Sequence, residues 1–288
     1  MARVGINPFY GQRYVGEYVP ITMVVITHIP SVEGYYQEAI EIAEISLRSM
    51  ARHAGEDFQL LVVDNGSCNE WRTRLLQLPY VDQYLLLRYN IGKMDAQKLA
   101  FGLVHTPIVG YSDPDVLFYP GWLSAELEVL QVFPEAVLVG GYPVVSLFEH
   151  FSIQNRISPP YYYDIVRLTY DDFPKEWIRD HLIATGTSPK HYYEAHKDAP
   201  VAYIERLGIK AWLHGHHMQF IGWTEPIRYY LPQGYGLLMG QAKGLNYALD
   251  AAGCLQLTTY DRVVKHMGNH LDGELRKEIK TMGLYYKE

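Results

Sequence analysis

Cysteine is almost missing from this sequence. Cys68 and Cys254 are the only two in 288 residues and no Cys-x-x-Cys spacing occurs, which argues against a disulfide framework. Long apolar runs are missing too. None approaches the roughly 20 residues of a membrane span, and Met1 to Pro8 lacks the apolar core of a secretory signal. Positive charge is not in excess. The 25 Lys and Arg against 32 Asp and Glu leave a net charge of −7, which argues against a broad nucleic-acid footprint. No internal repeat or low-complexity linker is visible. These absences leave an ordinary globular composition, 48% hydrophobic and 20% charged, expected in the cytoplasm. Tyrosine is abundant instead, with 25 residues whose rings suit sugar surfaces or the interface of a homo-oligomer.

Strand and helix signals alternate through the first half. Ile21–Thr27 is β-branched enough for a central parallel strand, closed by His28-Ile29-Pro30. A helix is predicted from Tyr35 to His53, with Ile40, Ala43, Leu47 and Met50 on one face. Further strands are predicted at 58–63, 83–88, 107–111 and 136–143, and further helices from Lys93 and from Trp122. This rhythm predicts an α/β fold with a central, mostly parallel sheet and helices on both faces. Residues 146–210 show weak periodicity. Beyond them, strands are expected at 209–213, 227–231 and 255–264, and helices at 237–252 and 274–282. Residues 1–20 read as an arm.

Where the fourth strand should end stands Tyr111-Ser112-Asp113-Pro114-Asp115, followed by Pro120-Gly121-Trp122-Leu123 and a helix. Ligands of open α/β sheets bind outside the carboxyl ends of the strands. Two hard oxygen ligands there suit Mg²⁺ or Mn²⁺ holding a phosphate. A solvated Asx turn is the alternative for an isolated pair. Lys93 opens a helix after Asn90-Ile91-Gly92, a setting that favours phosphate, although a solvated lysine has the same appearance. Asp64-Asn65-Gly66-Ser67 is a turn directly after the second strand.

The order of these motifs resembles GT-A-fold glycosyltransferases, chiefly the family-2-like group. Met23–Thr27, Val62-Val63-Asp64-Asn65-Gly66-Ser67, Asn90–Lys93, Asp113-Pro114-Asp115 with Pro120–Leu123, and His266-Met267-Gly268 carry the resemblance. It implies one domain over residues 1–288, with a donor-binding half at 21–145, an acceptor-binding half at 146–270 ending in a metal-ligand strand, and a tail at 271–288. It implies a metal-dependent glycosyltransferase that uses a nucleoside-diphosphate sugar, a UDP- or GDP-sugar. Asp115 and His266 would be metal ligands, with Asp113 on the ribose or on the metal. Thr27, His28, Ile29, Glu33, Asp64, Asn90, Lys93 and Ser112 would contact the donor nucleotide.

The sequence departs from that group at one point. Inverting members carry a carboxylate base at the start of the helix before the last strand, where this chain has Gly236–Gln241. Gln233–Gly240 faintly resembles a tract of retaining members, but with Leu238 in place of the usual acid. Glu225 is the remaining acid suggested by location, as catalytic base or as a surface glutamate. His214-Gly215-His216-His217 has chelating spacing without a third ligand. Tyr161-Tyr162-Tyr163 could stack on an acceptor or belong to core and rim. A nucleotidyltransferase and a non-catalytic nucleotide-sugar-binding protein are the competing readings. The first lacks its Gly-rich basic loop after Thr27, and a dinucleotide-binding oxidoreductase lacks its Gly-x-Gly-x-x-Gly there.

Overall fold

The computed structural model describes residues 5–8, 10–12, 19–150, 164–236 and 243–285, apart from the side chains of 149 and 150. The Tyr161-Tyr162-Tyr163 run, Leu238 and Ala242 on the face of the expected 237–252 helix, and much of the expected arm lie outside the described residues.

The first half follows the alternation. β1 (Ile21–Thr27), α1 (Ala39–His53), β2 (Gln59–Asn65), α2 (Asn69–Leu75), β3 (Gln83–Leu87), α3 (Lys93–Leu103) and β4 (Ile108–Ser112) come in order. β5 (Val116–Phe118), α4 (Trp122–Val132) and β6 (Ala136–Gly140) follow. The second half holds β7 (Asp164–Arg167), α5 (Lys175–Thr185), α6 (Pro189–His196), β8 (Ala202–Arg206), β9 (Ile209–Trp212) and β10 (Gln219–Trp223). It ends with α7 (Thr224–Tyr230), α8 (Gly244–Ala251), β11 (Leu255–Thr259), β12 (Val264–His266) and α9 (Gly273–Thr281).

Among the described residues, ten strands form one sheet in the order β3-β2-β1-β4-β10-β6-β11-β9-β8-β7. Successive residues of β1 point to opposite faces. Met23 and Val25 pack with Leu47, Trp71 and Trp122 of α1, α2 and α4. Val24 and Ile26 pack with Phe101, Ile227 and Leu249 of α3, α7 and α8. Helices therefore cover both faces, and the α/β class stands.

The expected mostly parallel sheet needs correction. β3, β2, β1 and β4 are parallel. β10 is antiparallel to both β4 and β6, and β9, β8 and β7 continue antiparallel beyond β11. The strands that make the sheet mixed come from within and just beyond the weakly periodic 146–210 stretch, where β8 and the edge strand β7 are partly exposed and lack a continuous apolar run.

Two further elements differ from expectation. Of the expected 227–231 strand, residues 227–230 belong to a helix, because Pro226 sits in its first turn and Ile227 packs inward while Tyr229 faces solvent. The β preference of the Tyr pair is overridden. The expected 255–264 strand breaks in two where Thr259 Oγ1 donates to the Asp261 carbonyl, at 2.8 Å. The second piece, β12, leaves the main sheet and pairs antiparallel with β5.

Candidate functional site

Asp113 leaves β4 at its carboxyl end. Its backbone N–H donates to the Met218 carbonyl at 2.8 Å, because β10 continues the antiparallel register of Gln219 with Ser112. Tyr111, almost fully buried, donates its hydroxyl to Asp113 Oδ1 at 2.6 Å. Lys93, in the first turn of α3, places Nζ 2.6 Å from the same oxygen and 5.7 Å from the Tyr111 ring centre. The left-handed backbone of Gly92 sets this approach, with φ at 92°.

Asp115 has a different partner. β5 and β12 pair His266 with Val116, so His266 Nε2 lies 3.1 Å from Asp115 Oδ2. The Met267 N–H donates to the Asp115 carbonyl at 2.8 Å. Burial raises the Asp115 pKa, but the His266 imidazole and Lys93 outweigh it and hold the carboxyl below its ordinary value. Burial likewise pulls His266 down, and the Asp115 carboxylate with its hydrogen bond raises it overall. Asp115 Oδ1 is buried with no hydrogen-bond partner among the described residues. A buried carboxylate oxygen left unpaired costs free energy, so it marks a place for a cation.

Lys93, Asp113 and Asp115 border a cleft of about 370 Å³ that also takes in His28, Asn65 and Asn90, with Tyr35 and Tyr36 at its side. Its wall is a relay of short polar contacts. His28 Nδ1 lies 3.0 Å from the Asn65 carbonyl. Asn65 Nδ2 donates to Asn90 Oδ1 at 2.9 Å, and the Ile91 N–H donates to Asn65 Oδ1 at 2.9 Å. The expected residues His28, Asn90, Lys93, Asp113 and Asp115 are thus brought together.

Others are placed behind the cleft. Thr27 is buried and accepts from Trp71 Nε1 at 2.9 Å. Ile29 packs in the core, and its N–H donates to Ser67 Oγ at 2.9 Å. Ser112 is buried and donates to the Asp113 carbonyl at 2.8 Å. Asp64 is fully buried, accepting from the Ser67 N–H at 3.2 Å and from Arg72 Nε at 2.7 Å. Its carboxylate caps the turn and binds an arginine of α2. Glu33 is exposed beside the cleft's Tyr35 turn and does not line it.

Glu225, expected as a catalytic base, is placed away from the cleft. Its helix starts after Trp223, which pairs with Ile108, the amino end of β4. Four residues of strand at about 3.3 Å each separate that end from Ser112. Glu225 is exposed and paired with Arg228 at 2.9 Å. It stands at the far end of the sheet from Asp113.

Among the described residues, no three His, Cys, Asp or Glu side chains are grouped to hold a metal ion. Asp113, held by Lys93 and Tyr111, does not converge with Asp115 and His266. The latter two still fit a divalent ion that takes its remaining ligands from phosphate and water, since one carboxylate oxygen is unpaired and one imidazole nitrogen adjoins. His214 and His216 are buried and serve structure. The Val144 N–H donates to His214 Nε2 at 3.4 Å, and the Met218 N–H donates to His216 Nδ1 at 2.9 Å.

Asn65, Tyr35, Tyr36 and Tyr111 were not among the expected site residues. Asn65 adjoins Asp64 in the same turn, and strand alternation is the signal that separates them: neighbouring side chains point to opposite faces.

Comparison with curated proteins gives no match. Solved structures similar to this chain include a fragment of TarS from S. aureus, at 10% identity and a TM-score of 0.48, covering 94% of this chain and 67% of the other. The same protein with UDP-GlcNAc aligns over 42% of this chain and 33% of the other, at 14% identity and a TM-score of 0.34. The mannosyltransferase PcManGT from Pyrobaculum calidifontis, with GDP-Man and Mn²⁺, aligns over 44% and 36%, at 17% identity and a TM-score of 0.36. The chain spans from about a fifth to two thirds of the length of the structures it matches. The model of glycosyl transferase family 2 matches residues 35–183, from the approach to α1, through both carboxylates, into α5. That span is more than half of the sequence and contains the cleft's Tyr35, Asn65, Lys93 and Asp115, and so the chain belongs to glycosyl transferase family 2.

Proposed function

We propose that this chain is a glycosyltransferase that takes a sugar from a nucleoside-diphosphate sugar, a UDP- or GDP-sugar, with Mn²⁺ or Mg²⁺ as cofactor. The observation that carries this reading is the unpaired, buried Asp115 Oδ1 beside His266, in a cleft that also presents Lys93. Asp115 and His266 would hold the ion, which when bound neutralises the diphosphate and stabilises the leaving group. Lys93 adds a positive charge to the diphosphate from the first turn of α3, shared with Asp113. Asp113 keeps Lys93 oriented and is within reach of the ribose. His28, Asn65 and the Tyr35 ring surround the nucleoside, and Asp64 supports them from behind through Arg72 and Ser67. The acceptor belongs to the 146–270 half and the donor to the 21–145 half.

A melting panel tests this. UDP, GDP, CDP and dTDP, each with and without Mn²⁺, are compared by thermal shift, since a ligand of the native state raises the melting temperature by mass action. At least one diphosphate should give a shift that Mn²⁺ enlarges. No shift with any of the four refutes the donor reading.

A second reading has one observation in its favour. Of the cleft's two carboxylates, Asp113 is paired with Lys93 and Asp115 with His266, so neither is held free to take a proton from an acceptor. A protein that binds the nucleotide-sugar without transferring it fits that arrangement. Metal-dependent release of nucleoside diphosphate from the donor separates the two readings.

A further inference from the structure

A second cavity lies against the other flank of His266. It runs between the carboxyl-terminal half of α5 and the start of α9, floored by the loop from Lys265 to His270. Gly268 makes this close packing workable. At a φ of 71°, a Cβ there would come within 2.8 Å of the Ala184 carbonyl oxygen on α5. Gly268 and Asn269 also border a cavity on the donor side that contains Asp115 and Tyr35. The two cavities share Gly268 and Asn269 as wall, so a molecule in the second one lies against His266, the partner of Asp115.

The lining has two characters. Ile183 is 57% exposed and presents, with Ala184, an apolar surface. Asn269, His270 and Glu274 present polar groups beside it. The charges are mostly settled internally. Lys265 pairs with Asp180 at 3.2 Å and Glu278 at 2.9 Å, and Arg262 pairs with Asp180 at 2.9 Å. His270 lies 2.9 Å from Glu38, and Asp272 caps α9 by accepting from the Leu275 N–H at 2.8 Å. Glu274 alone of the lining acids has neither hydrogen bond nor ion pair among the described residues. An anionic acceptor would therefore meet no uncommitted cation and one free carboxylate. A sugar or polyol has C–H faces for Ile183 and hydroxyl donors for Glu274 and Asn269.

We propose that this groove is the acceptor subsite and that its acceptor is uncharged and polyhydroxylated. The assignment rests on the donor reading of the adjoining cleft. Ile183 receives an apolar ring face, and Glu274 accepts from an acceptor hydroxyl.

The test is saturation-transfer NMR on the full chain, with and without UDP or GDP and Mn²⁺. The probes are the methyl glycosides of glucose, galactose, mannose and N-acetylglucosamine, with glycerol 3-phosphate as the anionic probe. At least one neutral glycoside should receive saturation and glycerol 3-phosphate none. Ile183→Arg and Glu274→Lys each change an exposed side chain and should weaken that binding about tenfold, the scale of one lost contact of about 1.4 kcal/mol. The melting shift given by nucleoside diphosphate should be unchanged in both variants. Absence of transfer to every neutral glycoside, tighter binding of glycerol 3-phosphate, or equal binding by both variants overturns the proposal. Failure of the donor reading shows separately, as loss of the nucleotide melting shift in the wild-type chain.

Discussion

At the scale of single residues, the site divides its two carboxylates between two basic side chains. Lys93 holds Asp113 and His266 holds Asp115, with one Asp115 oxygen left over. If that oxygen binds the ion, Asp115→Ala and His266→Ala should each remove the Mn²⁺-dependent part of the nucleotide melting shift. The free protein should lose little in Asp115→Ala, where the unpaired oxygen disappears with the carboxylate, and more in His266→Ala, which leaves the Asp115 carboxylate without its partner. Thermal shift with and without Mn²⁺ reads both quantities, and an undiminished Mn²⁺ effect in both variants would exclude these ligands. Glu225 gives the opposite expectation. Its carboxylate is exposed at the far end of the sheet, and Arg228 keeps its bonds to the Phe101 and Val104 carbonyls without it. Glu225→Gln should therefore leave the turnover of donor within about twofold of wild type, as surface substitutions do. A hundredfold loss would restore it as a base.

Among elements, the turn after β2 carries the most constraint. Gly66 has a φ of 78°, and a Cβ there would stand 2.5 Å from the Asn90 nitrogen and 2.6 Å from the Tyr89 carbonyl carbon. Both neighbours are backbone, so neither can turn aside. Gly66→Ala should cost about 2 kcal/mol or more, from the left-handed conformation together with the clash. Because the displaced segment holds Asn90 against Asn65, nucleotide binding should weaken in the same variant. Denaturant unfolding and nucleotide titration check the two halves of that expectation, and a stable variant with intact binding contradicts it. The β5–β12 ribbon works similarly at a distance. It is separate from the main sheet, yet its register sets His266 opposite Val116 and so beside Asp115.

For the whole molecule, buried titratable groups give stability two opposed pH dependences. Burial raises the Glu126 pKa well above 4.5, against the Gln219 amide that donates to it. The native state then keeps a proton that the unfolded chain releases, so this group's contribution declines as pH rises from 4.5 through the folded pKa. Burial acts the other way on imidazoles, pushing His181 down to about 4 and His214 to about 3 from 6.5. Their contribution is complete above pH 6.5 and is lost as pH falls through those folded values. Glu126→Gln keeps the shape and removes the first effect. Its melting temperature should gain on wild type steadily from pH 5 to pH 8, and a gap that does not change with pH counts against a neutral Glu126.

The sequence alone determined much of this protein. Apolar runs with β-branched density placed β1, β2 and β4, and the helical spacing of Ala43, Leu47 and Met50 placed α1, because these elements are buried on patterned faces. Turn residues at the strand ends located Asp64-Asn65-Gly66 and Asp113-Pro114-Asp115, since backbone chemistry is local. Tertiary structure decided the rest. Asp64 and Asn65 are equally polar in sequence, and only the pleat sends one to Arg72 and the other to the cleft. Glu225 is 110 residues beyond Asp115 in either reading, and only the antiparallel return of β10 carries it to the opposite end of the sheet. His266 stands 151 residues from Asp115, and a three-residue ribbon brings the two to 3.1 Å. Strand direction and register arise from pairing between distant segments, and no local pattern encodes them.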